Sequence, residues 1–446
     1  MVPLTIDTFA RQLRAGETSS SQAVEDCLRR IDADNPRLNA FIQILAEDAR
    51  RQAAEADREL ASGIDRGPLH GVPVSVKDVF DIAGTVTTAA SRVRESIVAS
   101  RDALAVTRLR RAGAVIVGKT NLHEFAFGTT NEDSAFGPAR NPIDDTRSPG
   151  GSSGGSAASV VAGMALATVG TDTGGSIRIP AAACGLVGLK PGYDELPADG
   201  VVPLSRTLDH VGPLTATVSD GWHMLHALRD RAPAKPLSVT PVRSLTLGVP
   251  RQYFCDVLDE DVRRAFETAL GRLRGEGATI TAVDIPHASL IAPIYLHIVF
   301  GDAAAYHGDA LDTMPDKYTP NVRLRLEMAR YVTAEDYVRA LDGRRVLRRE
   351  VDSCLSGVDA LVLPTLPIVA PPIGAGTVQV GERHEPVRNL MLRLTQLFNL
   401  TGHPAITLPC GASASGLPCG LQLVGVTGQT DNLLHVAAGV ELSLRW

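Results

Sequence analysis

Apolar and polar positions along this chain change period several times. Val24, Cys27, Leu28 and Ile31 recur at helical spacing, behind a Ser19/Gln22 pair spaced as in a capping box. Ala46 to Ala61 is rich in Ala, Glu, Arg and Leu, all good helix formers, and Gly63 is a stop signal. Residues 1–62 are therefore expected to form a helical layer against the main body. From Gly67 the period shortens. In G-V-P-V-S-V-K-D, Val72, Val74 and Val76 alternate as in a strand, and Lys77 and Asp78 stand where it ends. Thr107 to Arg111 reads as the end of a helix stopped by Gly113, and Ala114 to Val117 as a short buried strand. Asn121 to Phe127 is expected to form a helical turn, and Thr129 to Pro149, rich in Asn, Asp and Pro, an extended loop.

Further on, Gly185 to Pro191 and Val201 to Pro213 read as strand or loop pieces, and Ala232 to Pro241 as a surface connection. Ser244 to Val249, Asp259 to Leu273 and Ala278 to Ile285 predict a strand, an amphipathic helix ending near Gly275, and a second strand. Residues 286–333 are less regular and hold Tyr295, Phe300, Tyr306, Tyr318 and Tyr331. Ala334 to Leu355 reads as a long charged helix. Ala360 to Leu363, Ala405 to Leu408 and Gly420 to Val424 read as strands, and Asp431 to Leu442 as a closing helix. Helices alternating with strands predict an α/β architecture.

One stretch departs from all these periods. Arg147 to Arg178 holds two glycine–serine clusters, Gly150 to Ser156 and Thr173 to Ser176, joined by small and apolar residues from Ala157 to Gly170. Gly/Ser tracts are ordinarily flexible linkers. An apolar segment between two of them must be buried, so the clusters read as two loops brought together at one end of a packed core.

Composition narrows the picture. The chain has 446 residues, 44% of them hydrophobic, and a formal charge of −6, which lacks the basic footprint of a general nucleic-acid-binding surface. Cys27, Cys184, Cys255, Cys354, Cys410 and Cys419 show no C-x-x-C spacing and are expected to be reduced thiols, without a disulfide framework or zinc site. No signal-peptide pattern opens the chain, and no uninterrupted apolar run reaches the ~18 residues of a membrane span. A cytoplasmic protein is expected, without metal, cofactor or membrane partner.

Two motif matches fail on context. Gly113 to Thr120, G-A-V-I-V-G-K-T, fits the phosphate-loop pattern, but its middle residues suit a strand rather than a loop that wraps phosphate. Gly151 to Gly155 fits G-x-S-x-G around Ser153, yet turn-forming residues precede it where a nucleophile elbow needs a strand. An esterase of that kind would also need His403 or His435 as its base. A different constellation is stronger. A lysine at the end of an apolar strand loses its proton easily through desolvation. Neutral Lys77 could then act as general base for a nearby serine, at 152, 153 or 176. The amides around Gly174 and Gly175 could converge on an oxyanion. The alternative for Lys77 is a surface pair with Asp78 or Asp81.

G-G-S-S-G-G-S-A-A followed by G-T-D-T-G-G-S-I-R-I-P-A-A resembles the signature of the amidase signature family. The likeness runs from about Gly67 to V-P-L-S-R-T-L-D-H-V-G-P near 213 and resumes in G-L-Q-L-V-G. It implies one large α/β domain over 1–446, a mixed sheet covered by helices on both faces, with a signature core at 63–230 and a variable substrate-pocket region at 286–345. It implies a Ser–Ser–Lys catalytic set: nucleophile Ser176, bridging Ser152 after a cis peptide, base Lys77. Oxyanion amides fall on Thr173 to Ser176, with Gly128 and Thr129 as further substrate-binding positions, and Asp172 and Arg178 are expected to brace the loop. The family includes hydrolases of small amides, carbamates (urethanes) and fatty amides, and the A subunit of glutamyl-tRNA amidotransferase. G-Y-D-E-L-P-A-D-G-V-V-P-L-S is more similar to free-standing bacterial amidases. The expected protein is thus a monomeric or homodimeric amidase acting on a small amide or carbamate, with ester cleavage as a side activity and the amidotransferase role as the alternative.

Overall fold

The caps explain where the first helices begin and end. The computed structural model describes residues 4–444. Helix α1 (Ile6–Arg14) starts behind Thr5, whose hydroxyl accepts from the Thr8 amide. Helix α2 (Ser20–Leu38) starts behind Ser19, whose side chain accepts from the Gln22 amide at 3.0 Å, and ends at Asn39 in the left-handed region. Its residues Val24, Cys27, Leu28 and Ile31 are all buried. Strand β1 (Phe41–Ile44) follows, then helix α3 (Ala46–Ala61). The N-terminal segment is therefore more than a helical layer, because β1 joins the main sheet. Four residues between two helices carry too little periodicity to reveal a strand.

Strand β2 (Pro73–Lys77), helix α4 (Leu104–Arg111) and strand β3 (Val115–Thr120) come next. The phosphate-loop look-alike is strand through Lys119 and Thr120, farther than the apolar run alone suggests. A short turn of 3-10 helix covers Glu124–Ala126. The central stretch becomes helix α5 (Gly154–Val161), strand β4 (Ala167–Asp172) and helix α6 (Arg178–Cys184), all buried but for Val161. Strands β5 (Val187–Lys190) and β6 (His210–Thr215) precede helix α7 (Val218–Arg229). Its Thr217 cap accepts from the Asp220 amide, a start signal the sequence carries and the apolar pattern does not show.

Strand β7 (Thr246–Pro250), helix α8 (Glu260–Gly275) and strand β8 (Thr279–Val283) form a parallel β–α–β unit. The region that looks irregular in sequence holds two helices, α9 (Ile291–Thr313) and α10 (Pro320–Ala329). In α9 apolar residues occupy most of the circumference, because it packs against several neighbours, including α10 and helix α11 (Ala334–Leu355). No single stripe marks it. By length and composition α9, with the turn before it, is the one candidate membrane span among the described residues, yet Ile294, Ile298, Val299 and Phe300 are buried in this core. Strand β9 (Ala360–Pro364), the hairpin β10 (Thr377–Val380) and β11 (Arg383–Pro386), helices α12 (Val387–Arg393) and α13 (Leu397–Leu400), strands β12 (Ala405–Ala412) and β13 (Pro418–Val424), and helix α14 (Thr430–Leu444) complete the chain.

Eleven strands make one mixed sheet in the order β1-β3-β2-β4-β6-β5-β12-β13-β9-β7-β8. Pairings β3/β2, β2/β4, β9/β7 and β7/β8 are parallel, and the others antiparallel. Every residue of β2, β3, β4, β6 and β9 is buried. Successive side chains of a strand point to opposite faces, so both faces of the sheet are covered by helices. Parallel β2 and β4 lie side by side as the third and fourth strands from the β1 edge, and their C-terminal ends open toward the two glycine–serine loops.

Candidate active site

The register of β2 against β4 builds the first half of the site. Val76 lies opposite Val169, so Lys77 leaves the end of β2 beside the last residues of β4. Its Nζ donates to Ser152 Oγ at 2.7 Å and to Thr171 Oγ1 at 2.8 Å, and the side chain is fully buried. The surface pair with a neighbouring aspartate does not form. Asp78 instead meets Lys119, the lysine of the phosphate-loop look-alike, at 2.8 Å in a buried ion pair. Burial pushes the Lys77 ammonium down to about 7, against the opposing pull of the Asp209 and Asp172 carboxylates.

The Gly151–Ser152 peptide is cis. The Ser152 carbonyl accepts from the His123 amide at 3.1 Å. Gly151 backs directly onto the Thr129–Thr130 peptide, where a Cβ would lie 2.8 Å from its atoms. The Gly128–Thr129 turn thus sits beside the serine loop. Gly128 itself lies under the His123 ring, which would be 2.0 Å from an added Cβ. Ser176 approaches from the other loop: the Ser153 amide donates to its carbonyl at 3.2 Å. Ser153 is turned away, its hydroxyl donating to the Thr171 carbonyl at 3.3 Å. Neither histidine of the esterase alternative partners it. His403 bonds Thr401 and Asp352, and His435 accepts from the Ser238 amide.

The second loop is fixed from three sides. Thr173 Oγ1 donates to Asp209 Oδ1 at 2.6 Å, a contact made possible because Asp172 pairs with His210 across β4 and β6. Burial raises the Asp209 carboxyl to about 6, opposed by its bonds from Thr173, Leu204 and Ser205 and by Lys77. Thr395 Oγ1 donates to the Gly174 carbonyl at 2.6 Å. Gly175 has φ +144°, and a Cβ there would lie 2.3 Å from Thr395 Oγ1. Among the described residues, the amides of Gly174, Gly175 and Ser176 donate to no protein acceptor, whereas those of Ile177 and Arg178 both donate to Asp172 Oδ2.

Asp172 and Arg178 form a fully buried pair, Nη2 to Oδ1 at 2.9 Å and Nε to Oδ2 at 3.1 Å. Arg178 also donates to Asn399 Oδ1, Gln422 Oε1 and the Thr395 carbonyl, and Asn399 Nδ2 donates to Asp172 Oδ1. Burial alone would raise the Asp172 carboxyl, but the Arg178 guanidinium, Lys190 and Asn399 hold it well below the usual range. Replacing Arg178 by Met leaves Asp172 buried without its cation. The expected loss is about 3–5 kcal/mol, read as a lower urea midpoint, and an unchanged midpoint would contradict this account of the loop.

Thr171, Asp209, Thr395 and Asn399 are absent from the sequence-derived set. Thr171 and Asp209 lie inside the quoted motifs, where hydroxyl and carboxylate had no evident partner. Thr395 and Asn399 arrive from about 220 residues away, and no local spacing announces them. A cavity of about 430 Å³ opens against Asp209, lined among others by Tyr193, Leu196, Val201 and Arg206. Among the described residues no group of three His, Cys, Asp or Glu side chains is placed to hold a metal.

A doubly covered mixed sheet whose parallel strand ends bring a buried lysine and two glycine–serine loops together is the architecture of an enzyme that hydrolyses the C–N bond of amides. A family model described as Amidase matches residues 22–434, and the chain belongs to the amidase signature family. It is 40% identical to an amidase of Pseudomonas putida over 93% of this chain and 90% of that one. It is 37% identical to the glutamyl-tRNA(Gln) amidotransferase A subunit of Roseiflexus sp. (strain RS-1), over 99% and 97% of the two chains. A solved amidase crystal structure superposes with a TM-score of 0.94 at 38% identity, covering 99% of this chain and 100% of the other.

Proposed function

We propose that the chain is a free-standing amidase that hydrolyses small amides or carbamates through Ser176, Ser152 and Lys77. The observation carrying this reading is the buried Lys77 Nζ, 2.7 Å from Ser152 Oγ, beside a loop whose amides at 174–176 are unspent. Neutral Lys77 takes the Ser152 proton as Ser152 takes that of Ser176. Ser176 Oγ attacks the substrate carbonyl, and the oxyanion is received by the amides of the Thr173–Ser176 turn. The proton returns through Ser152 to the leaving nitrogen, the C–N bond breaks, and an acyl-Ser176 ester remains. Water, deprotonated by the same relay, then releases the acid and restores the serine. From a carbamate the released acid is a carbonate half-ester, which loses carbon dioxide.

Gly128 and Thr129 flank the serine loop and form one wall of the substrate site in this reading. The full-length likeness to an amidotransferase component favours a second reading, in which the chain delivers ammonia within a larger assembly. The purified chain alone separates them. Release of the chromophore from a panel of anilides, aryl esters and aryl carbamates is expected without partner proteins. Inactivity on the panel, together with glutaminase activity only in the presence of partner proteins, would select the second reading.

A further inference from the structure

Arg388 carries a charge with no counter-ion or hydrogen bond among the described residues, and its Nε is buried without a partner. The other arginines nearby are matched: Arg178 holds Asp172, and Arg325 faces Asp133 at 3.4 Å and donates to the Phe127 carbonyl at 2.5 Å. Arg388 stands one helical turn before Leu392 on α12, so the two share a face. That face looks onto the oxyanion loop. A Cβ on Gly174 would lie 3.0 Å from Leu392 Cδ2 and 2.4 Å from Tyr295 Oη. Arg388 bears electrostatically on Tyr295 and on His123, the ring seated on Gly128. It therefore lies on the side of α12 that meets the Gly174 loop, within electrostatic reach of the ring seated on Gly128.

Burial draws its guanidinium down to about 10, and Arg325, of the same sign, adds to the effect. A cation kept in such a place without a carboxylate is costly unless an anion arrives with the ligand. The residue is half-buried, not sealed in the core. Guanidinium is also suited to bidentate recognition of a carboxylate.

We propose that Arg388 is a specificity-determining residue that receives a carboxylate carried by the substrate, so that the preferred substrates are half-amides of short dicarboxylic acids. This rests on the Ser176 mechanism above for turnover, but not for binding. The test compares malonamate, succinamate and glutaramate with the corresponding diamides, in which a neutral carboxamide replaces the carboxylate. Wild-type kcat/KM is expected to favour at least one half-amide over its diamide on the order of 100-fold. Arg388→Gln should bring that ratio close to one, and Arg388→Lys should restore part of it. A wild-type ratio near one for all three acids, or a ratio unchanged by Arg388→Gln, overturns the proposal. Calorimetry on Ser176→Ala keeps binding apart from chemistry: the half-amide should bind, and the added Arg388→Gln change should remove binding while thermal unfolding shows a folded protein. Arg388-dependent binding without wild-type turnover would sink the catalytic reading and leave this one standing. Turnover of anilides with no half-amide binding would do the reverse.

Discussion

Ser176→Ala is expected to lower amide turnover by about 10³–10⁶-fold while leaving the unfolding midpoint close to that of the parent. The fold should survive because the change removes one hydroxyl from a residue anchored by its carbonyl, which the Ser153 amide holds. The loop around it is fixed by other groups: Thr173 on Asp209, Thr395 on the Gly174 carbonyl, and Asp172 with Arg178 beneath. Turnover should collapse because no other hydroxyl takes its place. Ser153 is committed to the Thr171 carbonyl, and Ser152 to Lys77. Retention of more than a few per cent of kcat would assign the attack to a different group. Burst kinetics with an activated ester offer a second reading, since the acyl burst of the parent should vanish with the serine.

The next largest effect belongs to Lys77. With its ammonium pushed down to about 7, the neutral form that accepts a proton grows as pH rises through neutrality. Amide kcat/KM should therefore climb with an apparent pKa near that value and level off above it, far below the ordinary lysine range near 10.4. Lys77→Met keeps an apolar stem in the buried slot and removes the base, so the rise should disappear and amide acylation should fall by about 10²–10⁴-fold. Esters should lose less, because an alkoxide departs with less help from a relayed proton than an amine does. Single-turnover rates on a matched amide and ester provide the comparison. Equal losses on both substrates, or an amide rate that Lys77→Met leaves intact, would remove the lysine from proton transfer.

Much of the fold was legible where apolar residues face one partner. The α2 face and the alternating valines of β2 follow from periodicity, and the span of α3 from its helix-forming composition and the glycine stop after it. The register of β2 against β4 was not legible, yet it alone turns a lysine at a strand end into a lysine touching two hydroxyls. Where an element packs on several sides the signal fades. Helix α9 shows no stripe because apolar residues run round most of its circumference, the exposed Ala292, Pro293 and Ala305 among them, and its region read as irregular. The roles of Ser152 and Ser176 came from the resemblance of two glycine–serine runs, not from spacing. Thr395 and Asn399 could not be found that way. They reach the site from α13 and the turn before it, and only tertiary structure says which side of a helix meets a distant loop.

The order of the strands has a consequence for how the protein is made. Strands β1 to β6 form one half of the sheet and β7 to β9 the other, while the two last strands, β12 and β13, lie between them. A chain still emerging from the ribosome holds both halves with β5 and β9 as open edges and nothing to join them. Thr395, Asn399 and Gln422, which grip the Arg178 loop, belong to the same late segment. Synthesis thus delivers the seam of the sheet and the clamp of the site together, after both halves have been made. A nascent chain stopped short of it presents two unpaired strand edges to chaperones and to its neighbours, with the Ser176 loop in place in the sequence but not yet held.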